Sequence, residues 1–252
     1  MKKTLIMLSV CFFFFGCTRD WGTPTTRNYP IKGTYTGLDI SNAFHVTVSD
    51  QVQDVVVTVG DLAHEKVLVK VIDGKLHIGF KPHTSYNGEA TAIIPVSIIC
   101  DLELSGASSF KGDLSGTEVD IDLSGASFFK GNIVAHDVDF DLSGASTCES
   151  HVETDELDIE LSGASSAILN GLCQSNMELE ISGASKLEAA HFNAPSIHGN
   201  MSGASNADVT CCTSLNVDLS GASTLTYGVI SEDCHPAINC PAFGGSVVRP
   251  RR

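Results

Sequence analysis

The sequence predicts an all-β fold, a single-stranded parallel β-helix with coils of about 19–20 residues, on three observations. The tetrapeptide Ser-Gly-Ala-Ser starts at Ser105, Ser124, Ser143, Ser162, Ser182, Ser202 and Ser220. A sustained period of 18 to 20 residues marks a repeat architecture and one elongated body. Ahead of each copy, polar and apolar residues alternate with a period of two, the mark of a strand with one buried face. Each copy carries a glycine, which takes positive φ without steric cost and so turns the chain at one corner of every coil.

The first residues read as an export signal, residues 1–16: Lys2 and Lys3, then an apolar run from Leu5 to Phe15 broken only by Ser9. That run is too short to span a bilayer. It ends at Gly16-Cys17, which resembles a bacterial lipoprotein signal in which the cysteine is acylated and becomes the new N-terminus. Cys17 is therefore the expected lipidation site, with an ordinary signal peptide cut elsewhere as the alternative. Phe14 and Phe15 depart from the usual lipoprotein pattern. The body is expected to be tethered to the bacterial envelope at the outer membrane. Some surface lipoproteins of Bacteroidetes carry an acidic run after the anchor, whereas Thr18-Arg19-Asp20-Trp21 holds one acid, which leaves the leaflet open. Residues 17–31, with Pro24 and Pro30, read as a linker lifting the body off the membrane.

The β-helix is expected over 32–227. Residues 32–97 form its irregular N-terminal part, with Val55 to Val59 as one strand and a turn at Asp73-Gly74. Leu38 to Phe44 looks like a degenerate copy of the later unit, 64 residues before Ser105, which leaves room for about three coils. Either the β-helix begins near residue 35 or a separate antiparallel cap covers its first coil.

Over 98–227 the regular coils align on the first serine of each copy. One residue ahead stand Leu104, Leu123, Leu142, Leu161, Ile181, Met201 and Leu219; the places three and five ahead are apolar too, except Gly199. Parallel stacking would set equivalent residues about 4.8 Å apart, so seven coils give a rod of about 34 Å. The alanine of each unit is expected to point into the corner, and its serines to satisfy backbone groups. A second strand follows with Phe110, Phe129, Cys148, Ala167, Leu187, Ala207 and Leu225 inward. Residues 228–252 are expected to cap the last coil and end in a mobile tail, Arg249 to Arg252.

The lipoprotein-like start, the degenerate unit and the Ser-Gly-Ala-Ser coils together resemble the DUF2807 family, described as an autotransporter adhesin head (GIN) domain and common in Bacteroidetes. The resemblance covers roughly residues 32 to 225. It implies a right-handed parallel β-helix in the cell envelope. It brings no catalytic residues.

The formal charge is −15, and loss of Lys2 and Lys3 with the signal makes it −17. That disfavours nucleic acid and anionic headgroups as partners. Two acidic columns are the sharpest chemical feature: Glu103, Asp122, Asp141, Glu160, Glu180 and Asp218 two places before each copy, and Asp101, Asp120, Asp139, Asp158 and Glu178 four places before. In register they would form carboxylate ladders, and like charges across a sheet either raise one another's pKa or collect cations. The functional reading is a face for Ca2+ or a cationic partner; the plainer reading is a solvated exterior. His198 and Asn200 interrupt both columns. No other cofactor is expected. The second serines, Ser108 to Ser223, would form a hydroxyl ladder that either binds a glycan or only satisfies the corner.

Seven cysteines remain besides Cys17, an odd set without CxxC, and Cys234–Cys240 is the expected disulfide. Cys211-Cys212 reads as one core and one surface residue of a strand. No HExxH, GxSxG, P-loop or dinucleotide fingerprint occurs. The leading expectation is thus a non-enzymatic envelope lipoprotein that presents a rod for adhesion. The alternatives are a carbohydrate-active β-helix enzyme or glycan-binding protein, and a structural spacer. An enzyme would need carboxylate pairs in a cleft with aromatic platforms, and the single tryptophan, Trp21, falls in the linker stretch. The oligomeric state stays open.

Overall fold

The computed structural model describes residues 20–251, so the signal segment and Cys17 lie outside it. The described residues form twenty strands, most of them stacked in parallel as a β-solenoid of about eight turns. In the N-terminal third these are β1 (Pro24–Tyr29), β2 (Gly37–Ile40), β3 (Phe44–Ser49), β4 (Val55–Gly60), β5 (Val67–Ile72), β6 (Lys75–Phe80) and β7 (Ala90–Pro95). The regular coils use β8 (Asp101–Leu104), β9 (Ser109–Lys111), β10 (Leu114–Ser115), β11 (Glu118–Leu123), β12 (Phe128–Val134) and β13 (Asp137–Leu142). They continue through β14 (Thr147–Leu161), β15 (Ser166–Ile181), β16 (Lys186–Met201), β17 (Asn206–Leu219) and β18 (Thr224–Val229), and end with β19 (Ala237–Asn239) and β20 (Val247–Pro250).

The period of the repeat becomes the register of the stack. Leu123 lies beside Leu104 and Leu142, and Ile121 beside Leu102 and Phe140, so each apolar column runs along the rod axis inside it. The residues one, three and five places before each copy are buried, save half-buried Cys100 and Gly199. At the corner the glycines do take positive φ, between +70° and +77°. The corner differs from expectation in one respect: Ala107 and Ala126 face solvent, whereas the second serines are buried to the last. The turn resets the alternation, so the residue three after the first serine points inward. The hydroxyls of Ser127, Ser146 and Ser223 then serve the corner, as Ser146 Oγ donates to Ser143 O at 2.7 Å, whereas Ser165 Oγ donates to Ser185 Oγ, and Ser108 and Ser205 Oγ are buried without a hydrogen-bond partner among the described residues. That geometry leaves the hydroxyl column unable to meet a glycan.

The N-terminal third combines both alternatives. Leu38 and Ile40 of β2 stack in register on Leu102 and Leu104, which confirms the degenerate unit, but the 64 residues between do not make three coils. Instead β6 lies parallel on the far side of β2, and β7 on the far side of β3. Beyond them β5, β4 and β1 close the end as antiparallel strands. Part of the expected linker is folded: β1 pairs with β4 from Pro24↔Gly60 to Tyr29↔Val55, and Trp21 is 6% exposed. Pro24 is tolerated because it opens an edge strand, where no ladder N–H is required.

The C-terminal tail is also fixed. β20 pairs with β18, and Arg251 reaches back to Asp208 Oδ1 (2.9 Å from Nε) and Thr210 Oγ1 (3.0 Å). The disulfide joins Cys212 to Cys234, not Cys234 to Cys240. Strand alternation buries Cys211 and turns Cys212 outward, where the loop before β19 brings Cys234 to it, while β19 carries Cys240 to the core end beside Leu215 O. A 22-residue loop closed by this bridge should contribute about 3 kcal/mol. Cys212→Ser is expected to lose that stability in urea melts, and Cys240→Ser to keep the bridge; a Cys234–Cys240 peptide in a non-reducing digest would contradict this.

Candidate functional site

The outer face of the sheet through β8, β11, β13, β14 and β15 carries the acidic columns. Asp101, Asp120, Asp139, Asp158 and Glu178 stand side by side, as do Glu103, Asp122, Asp141, Glu160 and Glu180. Asp218 lies beyond Asn200 in the second column. Alternation sends every second residue outward, so both columns share one face. A third column, Glu118, Asp137 and Glu156, runs beside them. It has the same parity, six places before each copy, and extending the alternation by two residues would have found it.

Lys75 and His77 bound this face at one end, and His198 at the other. At one end β6 places Lys75 and His77 on the same two columns as Asp101 and Glu103, with Gly37 and Asp39 of β2 between. Gly37 has no side chain to obstruct Lys75, whose Nζ passes over to Asp101 Oδ2 at 2.7 Å and Glu103 Oε1 at 2.6 Å. Burial pulls the Lys75 pKa down, but the hydrogen bonds and the negative charges of Asp101 and Glu103 together outweigh it and hold it above the usual lysine value. His77 Nδ1 meets Asp39 Oδ2 at 2.7 Å. At the far end His198 Nε2 meets Glu178 Oε2 at 3.2 Å.

Between those ends the acids face mainly one another. An open depression of about 400 Å³ runs over Asp120, Asp122, Asp139, Asp141, Asp158 and Glu160. Partial burial, then Asp141 and Glu103, hold Asp122 above the usual carboxylate range. Burial, then Asp158 and Asp120, do the same to Asp139; for Asp158 the causes are burial, Glu178 and Glu156. One oxygen each from Glu118, Asp120 and Asp139 lie within 4.8 Å of one another. Calcium takes six to eight oxygens, so these three would hold it only with water or a partner completing the shell.

A carboxylate whose pKa is higher folded than unfolded binds extra protons in the folded state, so stability falls as pH rises through that window and the penalty is full above it. The triple variant Asp122→Asn, Asp139→Asn, Asp158→Asn is therefore expected to be more stable than wild type at pH 7 by about 1–2 kcal/mol, from several like-charge contacts at 0.2–1 kcal/mol each. Its advantage should shrink as pH falls towards 4. Thermal melts at both values check this, and a variant weaker at pH 7 would contradict it.

The sequence model of the family described as "Putative auto-transporter adhesin, head GIN domain" matches residues 34–228. The chain belongs to the DUF2807 family. Among solved structures it is similar to a "putative adhesin" of Parabacteroides merdae, 17% identical with TM-score 0.82, covering 92% of this chain and 97% of that one. A "putative lipid binding protein" of Parabacteroides distasonis is 17% identical with TM-score 0.78, covering 92% and 98%. A "putative adhesin" of Bacteroides fragilis is 18% identical with TM-score 0.62, covering 91% and 97%. At these identities the likeness is one of fold. No curated protein matches the sequence.

Proposed function

We propose that this DUF2807 chain is a non-enzymatic, lipid-anchored protein of the bacterial outer membrane, an adhesin whose rigid rod presents the acidic face to a cationic partner. One observation carries the reading: in-register carboxylates run across successive strands, and a lysine ammonium meets them where the columns begin. Lys75 shows the chemistry such a pair accepts, since one ammonium bridges Asp101 and Glu103. Asp120 with Asp122, and Asp139 with Asp141, repeat that pair on the next strands. A partner offering ammonium or guanidinium groups along an extended segment would find a matching two-column track, with affinity falling as salt rises.

The test compares wild type with the variant Asp120→Asn, Asp122→Asn, Asp139→Asn, Asp141→Asn on a lysine-rich peptide. Wild type is expected to bind in a salt-dependent manner, and the variant at least tenfold more weakly. Equal binding by both would sink the docking reading. A melting temperature that rises in millimolar calcium without peptide binding would assign the face to the metal instead. Release of reducing or unsaturated sugar from any polysaccharide in a screen would overturn the non-enzymatic part.

A further inference from the structure

An inference about how the rod stands rests on the reading of Cys17 as an acylated residue. Trp21 is packed into the folded body: the residue is 6% exposed, its ring lies 5.6 Å from that of Tyr86, and its carbonyl accepts the Leu62 N–H at 3.2 Å. Only residues 18–20 separate it from Cys17. Four Cα steps reach at most about 14 Å, whatever their conformation. Trp21 leads directly into β1, the outermost strand of a sheet that runs β1, β4, β7, β3, β9, β12, β14, β15, β16, β17, β18, β20. Eleven strand spacings put the attachment point about 53 Å from β20, at one extreme of the rod.

We infer that the N-terminal end of the solenoid is a bilayer-contacting face, so that the rod stands end-on among the lipid headgroups. The headgroup layer of one leaflet occupies about 5–7 Å, which leaves about 8 Å of the tether above it. Two packed sheets are themselves about 10 Å apart, so a body of that width has no room to swing clear on such a tether. Leu62, bonded to Trp21 and 58% exposed, is an apolar side chain on this end. Asp20, Trp21, Tyr86 and Glu89 border an open depression of about 610 Å³ beside it. The Asp20 and Glu89 carboxylates suit a lipid whose outermost group is an ammonium, so the fitting surface is zwitterionic, of the phosphatidylethanolamine kind, and not anionic. End-on standing also holds the acidic columns away from the membrane. β8 is the fourth strand from the end of its sheet, about 14 Å out, beyond a Debye length of about 8 Å.

Trp21 is the sole tryptophan, which makes it a donor for energy transfer to a dansyl-labelled headgroup. The full chain, processed in a lipoprotein-competent host and reconstituted in phosphatidylethanolamine/phosphatidylcholine vesicles, is expected to give strong sensitised emission. Inserting a Gly/Ser segment of about 20 residues after Thr18, with an r.m.s. span of about 25 Å, should reduce that emission at least twofold. The acylated variant Trp21→Phe, Val247→Trp, with its donor on exposed β20 at the far end, is expected to give little sensitised emission, and emission as strong as that of wild type would mean that the rod lies flat and overturns this inference alone. A mature mass without acyl chains overturns the anchor reading, and the end-on contact with it.

Discussion

Gly144→Ala is expected to destabilise the solenoid by about 3–5 kcal/mol, whereas Gly106→Ala, the same change two corners earlier, should cost only about 1–2 kcal/mol. Both glycines sit in the left-handed region, at φ +70° and +77°, so both substitutions meet the same backbone penalty. What separates them is the coil below. A Cβ on Gly144 would stand 2.5 Å from Gly125 O, the oxygen that accepts the inter-coil bond from Ala145 N–H at 2.7 Å. Either the corner opens and that bond is lost, or the coils move apart where their columns are closest packed. A Cβ on Gly106 would meet Asn42 N at 3.6 Å, an ordinary contact, because the degenerate corner of β2 and β3 lies there. Asn42 and Ala43 take φ +61° themselves, so that corner follows a different path. Urea unfolding of the two variants with unchanged m-values measures the difference. Equal costs would mean that coil stacking does not constrain the corner.

The contrast also locates what the sequence could reveal. Wherever stacking order follows chain order, parity suffices: Leu123 between Leu104 and Leu142, and Asp122 between Glu103 and Asp141, follow from counting back from each serine. Parity fails at turns, which reset it, so the inward residue of the corner is Ser127 and not Ala126. It fails again where the chain folds back on itself. Lys75 and His77 join the acidic columns only because β6 lies beside β2, an arrangement in which residue 75 precedes residue 37 along the rod. No periodicity in the chain records that neighbour, so the cationic end of the face was hidden although its interruption at His198 was legible. The disulfide has the same cause. Alternation along β17 predicts that Cys212 faces outward, but only the path of the loop before β19 chooses Cys234 as its partner. Trp21 and β1 were hidden because a short edge strand between two prolines has the composition of a linker; its pairing with β4 supplies the order that its own residues do not.

Phe129→Ala is expected to cost about 3–5 kcal/mol, and the neighbouring coils explain why the site cannot collapse to reduce it. The ring is wholly buried and stacks on Phe110 with centroids 6.1 Å apart and planes 7° from parallel. Two residues on, Gly131 leaves room for it: a Cβ there would lie 3.3 Å from the Phe129 ring tip. In the next two coils the large position shrinks to Cys148 and Ala167, and the position two residues on grows to Ser150 and then Leu169. Core volume is thus kept roughly constant along the rod by exchange between two adjacent inward places, as close packing demands. Phe129→Ala breaks the exchange at a coil whose second place is empty. Refilling it by Gly131→Leu is blocked, since the new Cβ would fall 1.9 Å from Gly112 O. The double variant Phe129→Ala, Gly131→Leu should therefore be less stable than Phe129→Ala alone, despite restoring the side-chain volume found at Ala167 and Leu169. Chemical denaturation of the three proteins decides the matter. Recovery of wild-type stability in the double variant would show that the core is set by total volume, and that the backbone approach at Gly131 yields to it.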